Sequence, residues 1–145
     1  MIYLNRELIA VKKLDPAEVE RTAAEALMEI PHVFRVYTGV QLASGQAMED
    51  APGRRMMNGY FPRRGADLEV LPDPYWIFAR QGTSHGVTFG YDTHVPVIFM
   101  GAGIRAGEYD GNIAPNDIAP TLATILRVET PSGSAGRVLQ EMFAQ

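Results

Sequence analysis

The densest set of chemistry-bearing residues is Gly82-Thr83-Ser84-His85-Gly86, followed closely by Tyr91-Asp92-Thr93-His94. An imidazole binds zinc through one ring nitrogen while the other donates to a carboxylate or carbonyl. His85 is therefore a candidate metal ligand, and Asp92 a candidate for the acceptor behind it. Glycine on either side lets backbone approach a ligand without a Cβ clash. The same residues also read as an ordinary polar loop, because a zinc site takes three or four protein ligands and one histidine with one aspartate does not complete it. His94 abuts an apolar run and reads as a packing residue or a further partner behind the ligand. His32 follows Pro31 and reads as structural.

Other chemistries fare worse. Ser84 adjoins His85, but neighbouring side chains in a loop rarely face each other as nucleophile and base require. The chain has no Walker-type phosphate loop. It has no cysteine, so a metal must be held by histidine and carboxylate. Residue types alone thus yield an α/β domain with a candidate metal-binding loop and no catalytic residue.

The elements that must position this loop follow from patterning. Asp15-Pro16-Ala17-Glu18 predicts a helix start, with Asp15 as cap, Pro16 in the first turn and Glu18 in the reciprocal capping position. Val19, Ala23, Ala26, Leu27 and Ile30 continue at helical spacing, and Pro31 ends the run. Residues 1–4, 33–38 and 67–71 read as strands, and 75–78 as a short aromatic strand. Residues 43–64 read as loop with one short helix over 53–58. Residues 95–100 are apolar without alternation and end at Gly101, which predicts a strand covered on both faces. Asn116 or Asp117 caps a helix carrying Ile118, Leu122, Ile125 and Leu126, with Pro120 in its first turn, and residues 138–143 read as a last short helix.

Composition narrows the function classes. The chain has 145 residues, 46% hydrophobic and 21% charged, enough to build a core. Its formal charge is −4 and its basic residues are scattered apart from pairs such as Arg54-Arg55 and Arg63-Arg64, which argues against nucleic acid as a partner. No apolar run approaches the roughly 20 residues of a membrane span, and the first residues lack the order of a signal peptide.

Residues 82–86 and 91–101 together closely resemble the type I phosphodiesterase/nucleotide pyrophosphatase branch of the alkaline phosphatase superfamily. Gly103-Ile104, Ala114-Pro115-Asn116-Asp117-Ile118-Ala119-Pro120-Thr121-Leu122-Ala123, Pro131-Ser132-Gly133 and Gly136-Arg137 continue the match. Upstream, Ile2-Tyr3-Leu4-Asn5, Asp67-Leu68-Glu69-Val70 and Tyr75-Trp76-Ile77-Phe78 look like the small α+β insertion of the same family. The resemblance implies an α/β fold class: a small α+β subdomain, residues 1–78, followed by residues 79–145 as the C-terminal strands and helix of an alkaline-phosphatase-like α/β sandwich. It also implies phosphate-ester hydrolysis with two zinc ions and a threonine or serine nucleophile. In such enzymes the histidine of the His-Gly pair in this loop is the last zinc ligand in chain order, a role that passes to His85. Two departures stand out. Val87 and Thr88-Phe89 replace the usual Ser and Pro-Tyr. The nucleophile and other ligands belong to segments that precede Tyr3 in the family, and no Asp-His-Gly motif occurs here.

The chain is therefore expected to be a fragment, a truncated frame or one piece of a divided enzyme, inactive alone. Its expected partners are a phosphate ester in the intact parent, a second copy of itself, or the N-terminal part of the fold. The alternative is a non-catalytic interaction or dimerisation module built on the same fold. Family resemblance favours export to the periplasm or beyond.

Overall fold

The computed structural model describes residues 1–144, apart from the Met48 side chain. It comprises two compact units, Met1–Val95 and Pro96–Gln145.

The first unit is built on an antiparallel pair, β1 (Val33–Thr38) and β2 (Leu68–Pro72), with Val36 opposite Val70 and Thr38 opposite Leu68. A bulge lies between Val33 and Arg35. The expected strand over residues 1–4 is reduced to one bridge, in which Ile2 exchanges backbone hydrogen bonds of 2.8 and 3.1 Å with Leu68. What holds this entry segment is a buried carboxylate. Asp67 accepts from the Leu4 amide at 2.7 Å and from Arg6 Nε and Nη2 at 3.0 and 2.6 Å.

Helix α1 (Arg6–Val11) follows, capped by Asn5. Helix α2 (Pro16–Met28) starts where the sequence predicts, with the Asp15 carboxylate accepting from the Ala17 amide at 3.0 Å. Glu18 does not close the expected reciprocal cap. Its carboxylate takes Arg21 one turn ahead at 2.8 Å, and Arg21 also reaches Glu25 at 2.7 Å. Ile30 falls outside the helix, which ends at Met28 before Pro31 is reached.

Thr38 and Gln41 form a complete capping box for α3 (Gly39–Ser44), with bonds of 3.1 and 3.0 Å. Gly39 is required there: a Cβ would lie 2.7 Å from the Tyr60 hydroxyl and 3.3 Å from the Ala66 carbonyl. Within the expected loop, a 3₁₀ turn (Gln46–Glu49) precedes α4 (Ala51–Gly59), a longer helix than predicted. Tyr37, Leu42 and Ala47 pack with Met56, Met57 and Tyr60, while Leu68 and Leu71 are almost wholly enclosed. Each such leucine contributes roughly 1.5–3 kcal/mol of burial.

Residues 75–78 are not a strand. Pro74 has no amide to offer a ladder, and the Trp76 amide closes a turn onto the Asp73 carbonyl at 3.0 Å. After a loop comes the short α5 (Gly90–Thr93).

Residues 95–100, all but Val95 in the second unit, depart most from expectation. They are extended, pair with no strand among the described residues, and leave Ile98 86% and Met100 96% exposed. An inner strand takes its hydrogen bonds and cover from neighbouring strands and helices. The described residues supply no strand partner and cover one face only, where Val97 and Phe99 are half-buried. A 3₁₀ turn (Pro115–Asp117) leads into α6 (Ile118–Leu126). Asp117 does not cap α6 through its side chain. Its carboxylate accepts from the Ala114 and Arg137 amides at 2.9 and 2.8 Å, tying the C-terminal stretch to the helix start. Thr121, fully buried, donates to the Asp117 carbonyl at 2.6 Å and accepts from the Leu139 amide at 3.0 Å. The last helix expected over 138–143 is only a 3₁₀ turn, Gln140–Met142.

Candidate functional site

His85 sits on an exposed loop between Gly82 and Gly86, whose φ angles of 103° and 88° lie in the left-handed region. A side chain at either glycine would be strained, so both are needed for the path of the loop. Past Gly86 the backbone is gripped twice. Asp92 Oδ2 accepts from the Val87 amide at 2.7 Å, and Arg55 Nη1 of α4 donates to the Thr88 carbonyl at 2.5 Å. Asp92 is half-buried, while His94 is exposed at the end of α5, its amide donating to the Gly90 carbonyl at 3.2 Å.

Aromatic rings hold the far side of the loop. Tyr91 stacks on Tyr75 with centroids 4.3 Å apart, and its hydroxyl accepts from the Tyr75 amide at 3.0 Å. Phe89 stacks against Tyr91 at 5.8 Å and meets Phe34 of β1 edge-on at 5.5 Å. Tyr75 has φ of 63°, a conformation that costs a non-glycine residue about 1–2 kcal/mol. Its bond and stack with Tyr91 offset that cost. One residue further, Trp76 stacks on His32 at 3.5 Å, and His32 Nδ1 lies 3.2 Å from Asp73 Oδ2.

Beside the loop a cleft of about 450 Å³ is lined by Arg55, Tyr60, Phe61, Arg64, Gly86 and Thr88, among others. The Arg64 guanidinium lies 5.1 Å over the Phe61 ring. At the other end of α4, Asp50 accepts from the Gly53 amide at 2.6 Å, Tyr37 Oη at 2.7 Å and Arg35 Nη1 at 2.9 Å. Burial works against ionisation of Asp50, but these donors outweigh it and hold its carboxyl below the ordinary value. Burial, with Asp50 adding to it, pushes the Tyr37 hydroxyl up.

The structure thus brings Asp92 to the backbone just past His85. It brings no three histidine or carboxylate side chains together in a metal-holding group among the described residues. Zinc, the metal that the resemblance implies, needs three or four protein ligands. His85 is one candidate, and the described residues do not make a complete site. Arg55 is the residue that patterning missed. It belongs to a basic pair in an aperiodic stretch, and its partner is a backbone carbonyl 33 residues on, which no side-chain pattern encodes.

No protein-family profile matches the chain. Alkaline phosphatase PafA of Elizabethkingia meningoseptica is 30% identical over 146 residues, covering 99% of this chain and 27% of that protein. The crystal structure of wild-type PafA superposes with a TM-score of 0.85 at 30% identity, covering 98% of this chain and 28% of that one. This chain belongs to the alkaline phosphatase superfamily. Within the superfamily, alkaline phosphatase PhoV of Synechococcus elongatus is 27% identical, with 98% of this chain and 26% of PhoV covered. A Myroides odoratus protein named as a calcium-transporting ATPase is 31% identical, with 99% of this chain and 27% of that protein covered. The chain thus spans about a quarter of the length of these relatives. Its mixture of helices with one small sheet is a piece of the alkaline phosphatase fold. Among the described residues no helix is long and apolar enough to cross a membrane.

Proposed function

We propose that this chain is the part of a metal-dependent phosphate-ester hydrolase that carries one ligand, His85, and that it hydrolyses nothing by itself. One observation carries the reading: a likeness to alkaline phosphatase PafA that runs through 98% of the chain in three dimensions. In this reading zinc is held jointly by His85 and by ligands from the rest of the fold, and its presence would supply Lewis-acid chemistry. The apolar residues 95–100 become an inner strand once neighbouring strands are present, and the phosphate ester is met only in that assembly. The names of the relatives favour monoesters, and the resemblance of residues 82–101 to the phosphodiesterase branch makes diesters the alternative substrate.

The test is a chimera in which this chain replaces the matching quarter of Elizabethkingia PafA. Hydrolysis of p-nitrophenyl phosphate and of its bis ester is measured for the chimera and for the isolated chain. The chimera should turn over at least one of them and the isolated chain neither. His85→Ala should lower the chimera's rate by about a hundredfold or more, and His94→Ala by less. An active isolated chain, or a chimera indifferent to His85, would overturn the proposal.

A second reading has its own support. Ile98, Met100 and Leu126, at 86, 96 and 68% exposed, are apolar groups free to meet another copy of the chain. Light scattering at micromolar concentration separates the two: a stable dimer that resists the addition of the PafA remainder favours an association module.

A further inference from the structure

We propose that Asp92 and Arg55 are positioning residues, which fix the backbone past His85-Gly86 so that the small α+β unit orders this loop before any metal or substrate is bound. The role of His85 rests on the reading above, whereas the brace is testable without zinc.

The Val87 amide and the Thr88 carbonyl belong to consecutive residues. They are held by groups of opposite charge, the Asp92 carboxylate at 2.7 Å and the Arg55 guanidinium at 2.5 Å. Hydrogen bonds with one ionised partner are shorter and stronger than neutral ones. Two such anchors on adjacent residues restrict the torsions between them, which Gly82 and Gly86 alone would leave free.

The anchors are themselves fixed. Asp92 stands in α5, where its amide donates to the Phe89 carbonyl at 3.0 Å. Tyr91 next to it is stacked between Tyr75 and Phe89, and Phe89 reaches Phe34 on β1. Arg55 projects from α4, whose neighbours Met56 and Met57 pack on the Tyr37–Leu42–Ala47 core. Three separate parts of the unit, namely β1, the turn carrying Tyr75 and α4, therefore converge on one loop. A loop with only local support would show contacts within itself, but here the Arg55–Thr88 bond spans 33 residues. The strained φ of Tyr75 at this junction adds to the case, since such residues persist where surrounding contacts over-determine them.

Amide exchange by NMR on the 145-residue chain tests this directly. The Gly39 amide, bonded to the Asp67 carbonyl at 2.7 Å, reports that the unit is folded. Val87 should exchange at least about tenfold more slowly than Ser84, the factor expected of a hydrogen bond to a charged acceptor. That protection should be the same in EDTA, in added zinc and in His85→Ala. Asp92→Ala should abolish it with Gly39 still protected, and Asp92→Asn, which keeps an acceptor oxygen, should retain part. Arg55→Ala should loosen Val87, and Arg55→Lys should restore some of the loss. An unprotected Val87 in the wild type overturns the proposal. So does protection that appears only with zinc, or a Val87 rate unchanged in both Asp92→Ala and Arg55→Ala. If Asp92→Ala also releases Gly39, the Arg55 pair decides: loss with Ala and recovery with Lys supports the brace, and no difference overturns it.

Discussion

The two units of the chain differ in where their apolar side chains go. In Met1–Val95, Ile9, Val36, Tyr37, Leu42, Leu68 and Leu71 are buried, Tyr37 and Leu42 packing with Ala47, and the polar groups Asp67 and Thr38 find partners there. In Pro96–Gln145 the buried apolar residues among those described are Pro120, Ala123, Leu139 and Met142, while Ile98, Met100, Leu126 and Val128 stand in solvent. What holds the second unit is polar: the Asp117 carboxylate on two amides and Thr121 between Asp117 and Leu139. Apolar burial gives a unit stability of its own, whereas a hydrogen-bonded frame with an uncovered apolar face depends on whatever covers it. The first unit therefore has the means to act as a scaffold for the His85 loop, and the second is the part of the fold that gains most from the remainder of a larger sheet.

Core truncation should break this contrast most strongly. Leu68→Ala, at a fully enclosed site opposite Thr38, should cost about 2–5 kcal/mol in denaturant unfolding of the first unit. Ile98→Ala, at a side chain 86% exposed, should change stability by no more than about 0.5 kcal/mol. Comparable losses at the two sites would erase the distinction.

Thr121→Val sharpens the account of the second unit. It keeps shape but leaves the buried Leu139 amide without an acceptor, which should cost about 1–3 kcal/mol and speed exchange at Leu139. An unchanged Leu139 rate would mean that apolar packing, and not this bond, holds the unit.

A smaller effect with a definite pH dependence is expected at Asp50. Asp50→Ala removes the cap of α4 and the acceptor of Tyr37 and Arg35, for about 1–2 kcal/mol at neutral pH. The folded carboxyl titrates below its ordinary value of about 3.9, so its contribution is fully present above that value. It is lost as pH falls through the lower folded-state value. The stability gap between wild type and variant should therefore close only in acid, and a gap that grows as pH falls would reverse the assignment.

How far the sequence foretold this depends on whether the signal was local. Asp15 and Pro16 start α2 because capping needs only adjacent residues, and β1 is legible from its β-branched and aromatic content. The cap of α3 was legible too, since Thr38 and Gln41 stand at capping-box spacing, but an aperiodic neighbourhood hid it. Residues 75–78 have the aromatic content of a strand, but Asp73-Pro74 sets a turn there. Residues 95–100 carry the composition of an inner strand, a property of an environment that the described residues do not contain. At the candidate site, His85 and Asp92 were visible by type. The Arg55 anchor and the Tyr75–Tyr91 stack were not, because a guanidinium meeting a distant carbonyl leaves no trace in residue spacing.

The most direct test of the central claim, that His85 is one ligand of a metal site completed by the rest of the fold, is zinc content by elemental analysis. It compares the isolated chain, the PafA chimera and its His85→Ala variant after equilibration with equal zinc and desalting. The account predicts no stoichiometric zinc on the isolated chain, a full complement on the chimera, and loss of about one zinc when His85 is replaced. A His85→Ala chimera that keeps its full zinc, or an isolated chain that holds zinc stoichiometrically, would contradict it.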